Sequence, residues 1–110
     1  MKIAIPVAQG KLAMHFGHCE KFVLIDVEEK QIKEETYITP PAHAPGVLPK
    51  FLHDQGATHI IAGGMGQRAQ SLFAENNIEV IIGASAIEPK ELVKAYLDGS
   101  LQTGANICDH

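Results

Sequence analysis

From residue 47 onward the chain alternates helical-period segments with short aliphatic runs, and this alternation constrains the fold more than any other feature. "THIIAGG" (58–64) and "IEVIIG" (78–83) are too short for helices and rich in β-branched residues, as buried strands are. Leu48, Phe51 and Leu52 recur at helical spacing, with Gly56 as a C-terminal stop. Ala69, Leu72 and Phe73 make a second helix, for which Asn76 or Asn77 supplies a left-handed cap. Leu92, Val93, Tyr96 and Leu97 make a third, with Ser85 and Glu88 spaced as a capping box and Gly99 at its end. Consecutive strand–helix–strand units require parallel strands joined by right-handed crossovers.

The first part of the chain supplies three more strands. "KIAIPV" (2–7) is aliphatic throughout, and "KFVLIDV" (21–27) and "IKEETYIT" (32–39) form a hairpin across the polar "EEKQ". That turn lacks Asn-Gly. Ile32, Glu34, Thr36 and Ile38 fall on one face of a weakly amphipathic segment, as expected at a sheet edge. The order βββαβαβα predicts an α/β, ribonuclease-H-like three-layer fold. Its five-stranded mixed sheet has order 3-2-1-4-5, with strand 2 antiparallel and helices on both faces. Strand order reverses between strands 1 and 4, and open α/β sheets bind ligands at the carboxyl ends of strands beside such a reversal. The loops expected at those ends are 8–20, 40–46 and 63–66.

A chain of 110 residues is the size of one domain, 1–110, with 99–110 as a tail. The net charge is −4, and Arg68 is the single arginine, so the chain is a poor match for a phosphate backbone and no nucleic acid is expected. The opening apolar run is broken by Pro6, Gln9 and Gly10, too short for a signal peptide or membrane span. A cytoplasmic location is expected, where Cys19 and Cys108 are free thiols or ligands.

The first loop, "MHFGHCE", carries His15, His18 and Cys19, and the second carries His43. Imidazole and thiolate favour zinc, copper or iron over magnesium or calcium. In the tail, Cys108 and His110 point the same way on an extended backbone and could chelate one soft ion. A return of this tail to the loop and a frayed terminus are both open readings. "GGMGQRA" places Gly63, Gly64 and Gly66 at a strand-to-helix turn, where free N–H groups and the helix dipole favour an anion. Arg68 in the first helical turn opposes the dipole, which makes sense if it faces a bound anion. A ribonuclease-type carboxylate cluster is missing from "KIAIPV", and two cysteines cannot build an all-cysteine iron–sulfur site within one chain.

"HFGHCEKFVLID" followed by "GG" and "MGQRAQSLFAENNIEVIIGA" resembles the NifX/NifB-type family of nitrogenase iron–molybdenum cofactor biosynthesis proteins. The resemblance runs from the first strand to the third helix. It implies a ribonuclease-H-like fold, binding or carriage of a molybdenum–iron–sulfur or related metal cluster, and no catalysis. His15, Phe16 and Gly17 match the family's loop, Gly63, Gly64 and Gly66 match its glycine turn, and His43 falls where relatives often place a histidine. Cys19 and the "CDH" tail look like subgroup features. The radical SAM domain of the full NifB enzyme has no counterpart. The expectation is a non-enzymatic carrier or scaffold for a metal–sulfur cluster or soft metal ion. It would be a monomer or weak homodimer that meets cluster donor or acceptor proteins. The rival reading is a phosphate- or nucleotide-binding regulator, or a small-molecule enzyme, that uses "GGMGQR".

Overall fold

The protein is described from a computed structural model, covering residues 1–13, 21–39, 47–84 and 87–101. In chain order the elements are β1 (Lys2–Ala8), β2 (Lys11–Leu12), β3 (Lys21–Glu28), β4 (Gln31–Ile38), α1 (Val47–Asp54), β5 (His59–Ile61), α2 (Gln67–Glu75), β6 (Glu79–Ile81) and α3 (Pro89–Asp98). The sheet path is β4-β3-β1-β5-β6, and β2 pairs with β1 off that path. β3 is antiparallel to both neighbours, whereas β1, β5 and β6 run parallel.

The sheet has six strands, and this corrects the expectation of five. The extra strand, β2, lies within the segment read as loop 8–20. A tight turn forms it, with Gln9 (φ 55°) and Gly10 (φ 80°) both left-handed, the backbone that matches hairpin twist. Pro6 explains where β2 docks. Its carbonyl accepts from the Ala13 N–H at 2.8 Å, but proline has no N–H to give in return. The registered β1–β5 pairs are Ile3↔His59 and Ala4↔Ile60, and β2 pairs further along, at Val7↔Leu12 and Ala8↔Lys11.

Two apolar cores lie on opposite faces of the sheet. Alternation along β1 and β3 separates them, because successive side chains point to opposite faces. Ala4, Phe22, Leu24 and Ile60 pack with Leu48 and Leu52 of α1 and Phe73 of α2. Ile3, Ile5, Val7, Val23 and Ile25 pack with Leu92 and Val93 of α3. Helices therefore cover both faces.

The edge strand β4 departs from the expected single face. Its register shifts beside Asp26/Val27, so that Asp26 pairs with Glu34 but Val27 pairs with Ile32, and Lys33 bulges out. Ile32 consequently joins the α3 side and Ile38 the α1–α2 side. A second departure lies at the start of α3. Glu88 is the N-cap without a side-chain cap bond and Pro89 opens the helix, so Glu88 is not the third residue of a capping box. The helix ends are conventional. Asn77 (φ 60°) follows α2, with Ile78 N–H bonded to the Phe73 carbonyl and Asn77 N–H to that of Ala74. Gly56 (φ 90°) closes α1 in the same way, and Gly99 (φ 80°) caps α3.

The β3–β4 turn achieves left-handed backbone without glycine, since Glu29 (φ 52°) and Lys30 (φ 63°) both adopt it. Each such residue is disfavoured by roughly 1–2 kcal/mol. Lys30→Gly should therefore raise the unfolding free energy by about 0.5–1 kcal/mol after glycine's own entropy cost. Urea denaturation checks this, with an unchanged or lower midpoint as the contrary result.

Candidate functional site

The glycine turn follows directly from β5. Gly63, Gly64 and Met65 are buried, and the Met65 side chain belongs to the core beneath α1 and α2. The adjacent strand end clamps the turn. Ala62 N–H donates to the Ile81 carbonyl at 2.8 Å, and Gly83 N–H donates to the Gly63 carbonyl at 3.0 Å. Gly83 reaches this position through a left-handed backbone (φ 84°). On the helix side the Gln70 amide donates to the Met65 carbonyl at 2.9 Å, and Gln70 N–H to that of Gly66 at 3.1 Å.

The carbonyls of Gly63, Met65 and Gly66 are thus engaged, whereas the N–H groups that open α2 are not spoken for by the helix. Gly66 is the N-cap in an extended conformation (φ −66°, ψ 157°) and supplies no side-chain cap. The first amides of any helix lack intrahelical acceptors, and α2 has no acidic side chain in its first turn to complement its positive end. Arg68 is exposed in that turn, and among the described residues no ion pair neutralises it. Such a helix start favours an anion.

The described chain on both sides of 14–20, and the chain before 40–46, reach the same edge of the sheet. Ala13 is bonded to Pro6, Lys21 pairs with Val7, and Ile38 pairs with Phe22, beside the carboxyl end of β1. Ala62 leaves β5, which runs parallel to β1, in the same direction. The predicted ligands His15, His18, Cys19, His43, Cys108 and His110 lie outside the described residues. Gly63, Gly64, Gly66 and Arg68 are the members of the expected site that the structure brings together. Among the described residues, no three His, Cys, Asp or Glu side chains gather into a metal-holding group.

A model of the dinitrogenase iron–molybdenum cofactor family matches residues 1–99. The chain belongs to this family. It is 33% identical over 107 residues to an uncharacterized protein of Methanocaldococcus jannaschii, spanning 93% of this chain and 90% of that one. The crystal structure of the protein PH0822 superposes with a TM-score of 0.85 at 31% identity, covering 94% of each chain. The apo form of the orange protein from Desulfovibrio gigas shares the fold, with a TM-score of 0.73 at 22% identity over 96% of this chain and 93% of its own. The family is associated with a metal–sulfur cofactor, and the α/β fold with a mixed sheet is the one these structures share. No helix among the described residues is long and apolar enough to cross a membrane.

This family member also carries a polar cluster that reading along the chain missed, at the opposite pole of the sheet. His59 Nε2 lies 3.1 Å from Glu79 Oε2, and the Tyr96 hydroxyl donates to the same oxygen at 3.3 Å. The Tyr96 and His59 rings meet edge to face, 5.8 Å between centroids. Thr58 Oγ1 sits 2.7 Å from His59 Nδ1 and also bonds the Lys2 N–H and carbonyl. The signal was present. His59 and Glu79 occupy the same register in consecutive parallel strands, so aligning the two strand starts would have paired them. Tyr96 falls on an apolar stripe of α3, where periodicity does not reveal the role of its hydroxyl.

Burial first, and then the nearby Glu79 charge and hydrogen bond, raise the Tyr96 pKa above its ordinary value of 10.0. The folded state therefore holds this proton more tightly than the unfolded chain. Its stabilising contribution is complete below pH 10.0 and is lost as pH rises through the raised value. Denaturant unfolding followed across the alkaline range should show a decline that Tyr96→Phe reduces. An identical decline in the variant would contradict the linkage.

Proposed function

We propose that this protein binds and carries, or scaffolds, a metal–sulfur cluster of the molybdenum–iron or iron–sulfur type, or its precursor, without catalysing a reaction. The observation that carries the reading is the uncapped, acid-free start of α2 at the glycine turn, in a chain whose family match spans residues 1–99. An anionic metal–sulfur cargo fits that donor set. Backbone amides and Arg68 offer hydrogen bonds and positive charge to sulfide or oxo groups, while soft side chains offer direct ligation.

In this proposal Gly63, Gly64, Gly66 and Arg68 cradle the charge of the cargo. His15, His18, Cys19 and His43 supply soft ligands from loops whose described flanks reach the same sheet edge, and Cys108 and His110 supply a further pair. The scaffold is a ribonuclease-H-like sheet used for binding at its switch point. The setting is cytoplasmic, where free thiols persist. The chain works as a monomer or weak homodimer and exchanges cargo with donor and acceptor proteins.

Anaerobic reconstitution with a synthetic iron–sulfur or molybdenum–iron–sulfur cluster tests this. Arg68 lies exposed on α2, away from the Phe73 core, so Arg68→Ala should leave the fold intact. Its loss of a charge-assisted hydrogen bond should weaken cluster affinity by about 1.5–3 kcal/mol, or roughly tenfold to hundredfold. Arg68→Lys should recover part of the effect, because it keeps the charge but not the planar fork. High salt should narrow the gap. In the same assay, His15→Ala combined with Cys19→Ser should weaken binding while urea stability is retained. Indistinguishable affinities for all variants, or thermal stabilisation by a nucleotide and none by clusters, would overturn the reading in favour of a phosphate-binding one.

A further inference from the structure

β4 lies at one end of the sheet path, and among the described residues β3 is the only strand that pairs with it. Its outer edge therefore offers backbone N–H and C=O groups to a further strand. β6, at the other end of the path, is three residues long, whereas β4 runs for eight. Edges of that length are ordinarily blunted by charges, proline or a bulge. Here the blunting stops half-way. The bulge at Lys33 interrupts the first half, but the pairing with β3 is unbroken from Glu34↔Asp26 to Ile38↔Phe22. Tyr37, on this regular stretch, keeps 53% of its exposure and is one of three exposed large hydrophobic residues among those described.

The side chains of the stretch suit a second copy of the same strand in one register. In an antiparallel ladder, opposite residues either both turn their backbone groups to the shared edge or both turn them away. A strand that pairs with its own copy must therefore place one residue on the two-fold axis, opposite itself. An axis at Lys33 falls on the bulge. Axes at Glu34 or Glu35 set two like carboxylates directly opposite each other, which is destabilising. An axis at Tyr37 needs Thr39, which lies past the end of β4. Thr36 remains.

With Thr36 on the axis, the whole of Glu34–Ile38 is used. Thr36 meets its own copy, Glu35 meets Tyr37 of the second copy, and Glu34 meets Ile38 of the second copy. Threonine pairs are among the favourable cross-strand pairs. Glu35 and Tyr37 fall on the α3 face, because they pair with Ile25 and Val23 of that core. On that face Lys90 of α3 already balances Glu35, 2.9 Å away. The ring of the incoming tyrosine would therefore cover a neutral ion pair and not a lone carboxylate.

We propose that β4 is a homodimer edge, in which two copies pair their Glu34–Ile38 segments antiparallel about a two-fold axis at Thr36. The two sheets then continue into each other. Five residues a side fall well short of the roughly 20–30 of a standard stable interface, so the dimer is weak and concentration-dependent. Antiparallel pairing points the two carboxyl poles in opposite directions, so each copy keeps its own glycine turn. This builds on the weak-homodimer part of the proposed function and does not depend on the cargo.

Cysteine cross-linking without any cluster present tests the register, with Cys19 and Cys108 replaced by serine. Thr36→Cys should give a disulfide-linked dimer under mild oxidation, because directly opposite residues stand about 4.5–5.5 Å apart at Cα, within disulfide range. Glu35→Cys alone and Tyr37→Cys alone should stay unlinked, whereas an equimolar mixture of the two should link. Sedimentation of the unsubstituted chain should show a mass rising toward that of two chains between micromolar and millimolar concentration. Thr36→Lys sets two ammonium groups opposite each other at an exposed position and should move that rise to higher concentration. A single-chain mass at millimolar concentration, equal linking at all three positions, or linking by Tyr37→Cys alone would overturn the proposal. Failed cluster reconstitution would count against the cargo reading and leave these results unchanged.

Discussion

The structure depends on β1 being buried on both faces and hydrogen-bonded along both edges. On one side it pairs antiparallel with β3 from Lys2 to Val7, and on the other it pairs parallel with β5 through Ile3 and Ala4. Its side chains divide the interior into two cores, with Ala4 toward α1 and α2 and Ile3, Ile5 and Val7 toward α3. A strand in this position cannot shift by one residue without exchanging the two cores. That fixed register is what gives the carboxyl end of β1 a defined place beside the turn after β5.

Pro6 then shapes that end. It withholds a donor on the side where β2 docks, so the short hairpin occupies the edge of β1 beyond its registered pairs with β5. β5 continues into Ala62 and Gly63, held instead by the backbone after β6. α2 starts from this clamp with its amides unmatched by any acidic side chain. The positive character at the rim therefore follows from topology together with side-chain choice, and Arg68 reinforces it.

Much of this was legible from periodicity. The aliphatic runs at 2–7 and 21–27 marked their strands, and the Phe73 and Leu92 stripes located their helices. Gly56, the pair Asn76 and Asn77, and Gly99 marked helix ends, and of that pair Asn77 takes the left-handed backbone. Three features escaped for physical reasons. β2 is only two residues long and carries no period. The bulge at Lys33 depends on pairing with β3 and not on β4's own sequence. The His59–Glu79–Tyr96 cluster joins residues from three elements, so only the register between strands reveals it. At the candidate site, "GGMGQR" announced a strand-to-helix turn, but the clamp by Gly83 comes from the backbone after β6, distant in sequence.

The two poles of the sheet offer different chemistry. At the carboxyl end lies the uncapped start of α2, where the anion cradle is proposed, and at the amino end His59 and Tyr96 both contact Glu79. Anaerobic purification of the protein from its own source, with molybdenum, iron and acid-labile sulfide determined on the same fraction, tests the central claim about the first pole most directly. The account predicts metal and sulfide co-eluting with the protein in fixed ratio and lost together on exposure to air. Protein that retains no metal and no sulfide, or that carries a phosphorylated small molecule in their place, would contradict it.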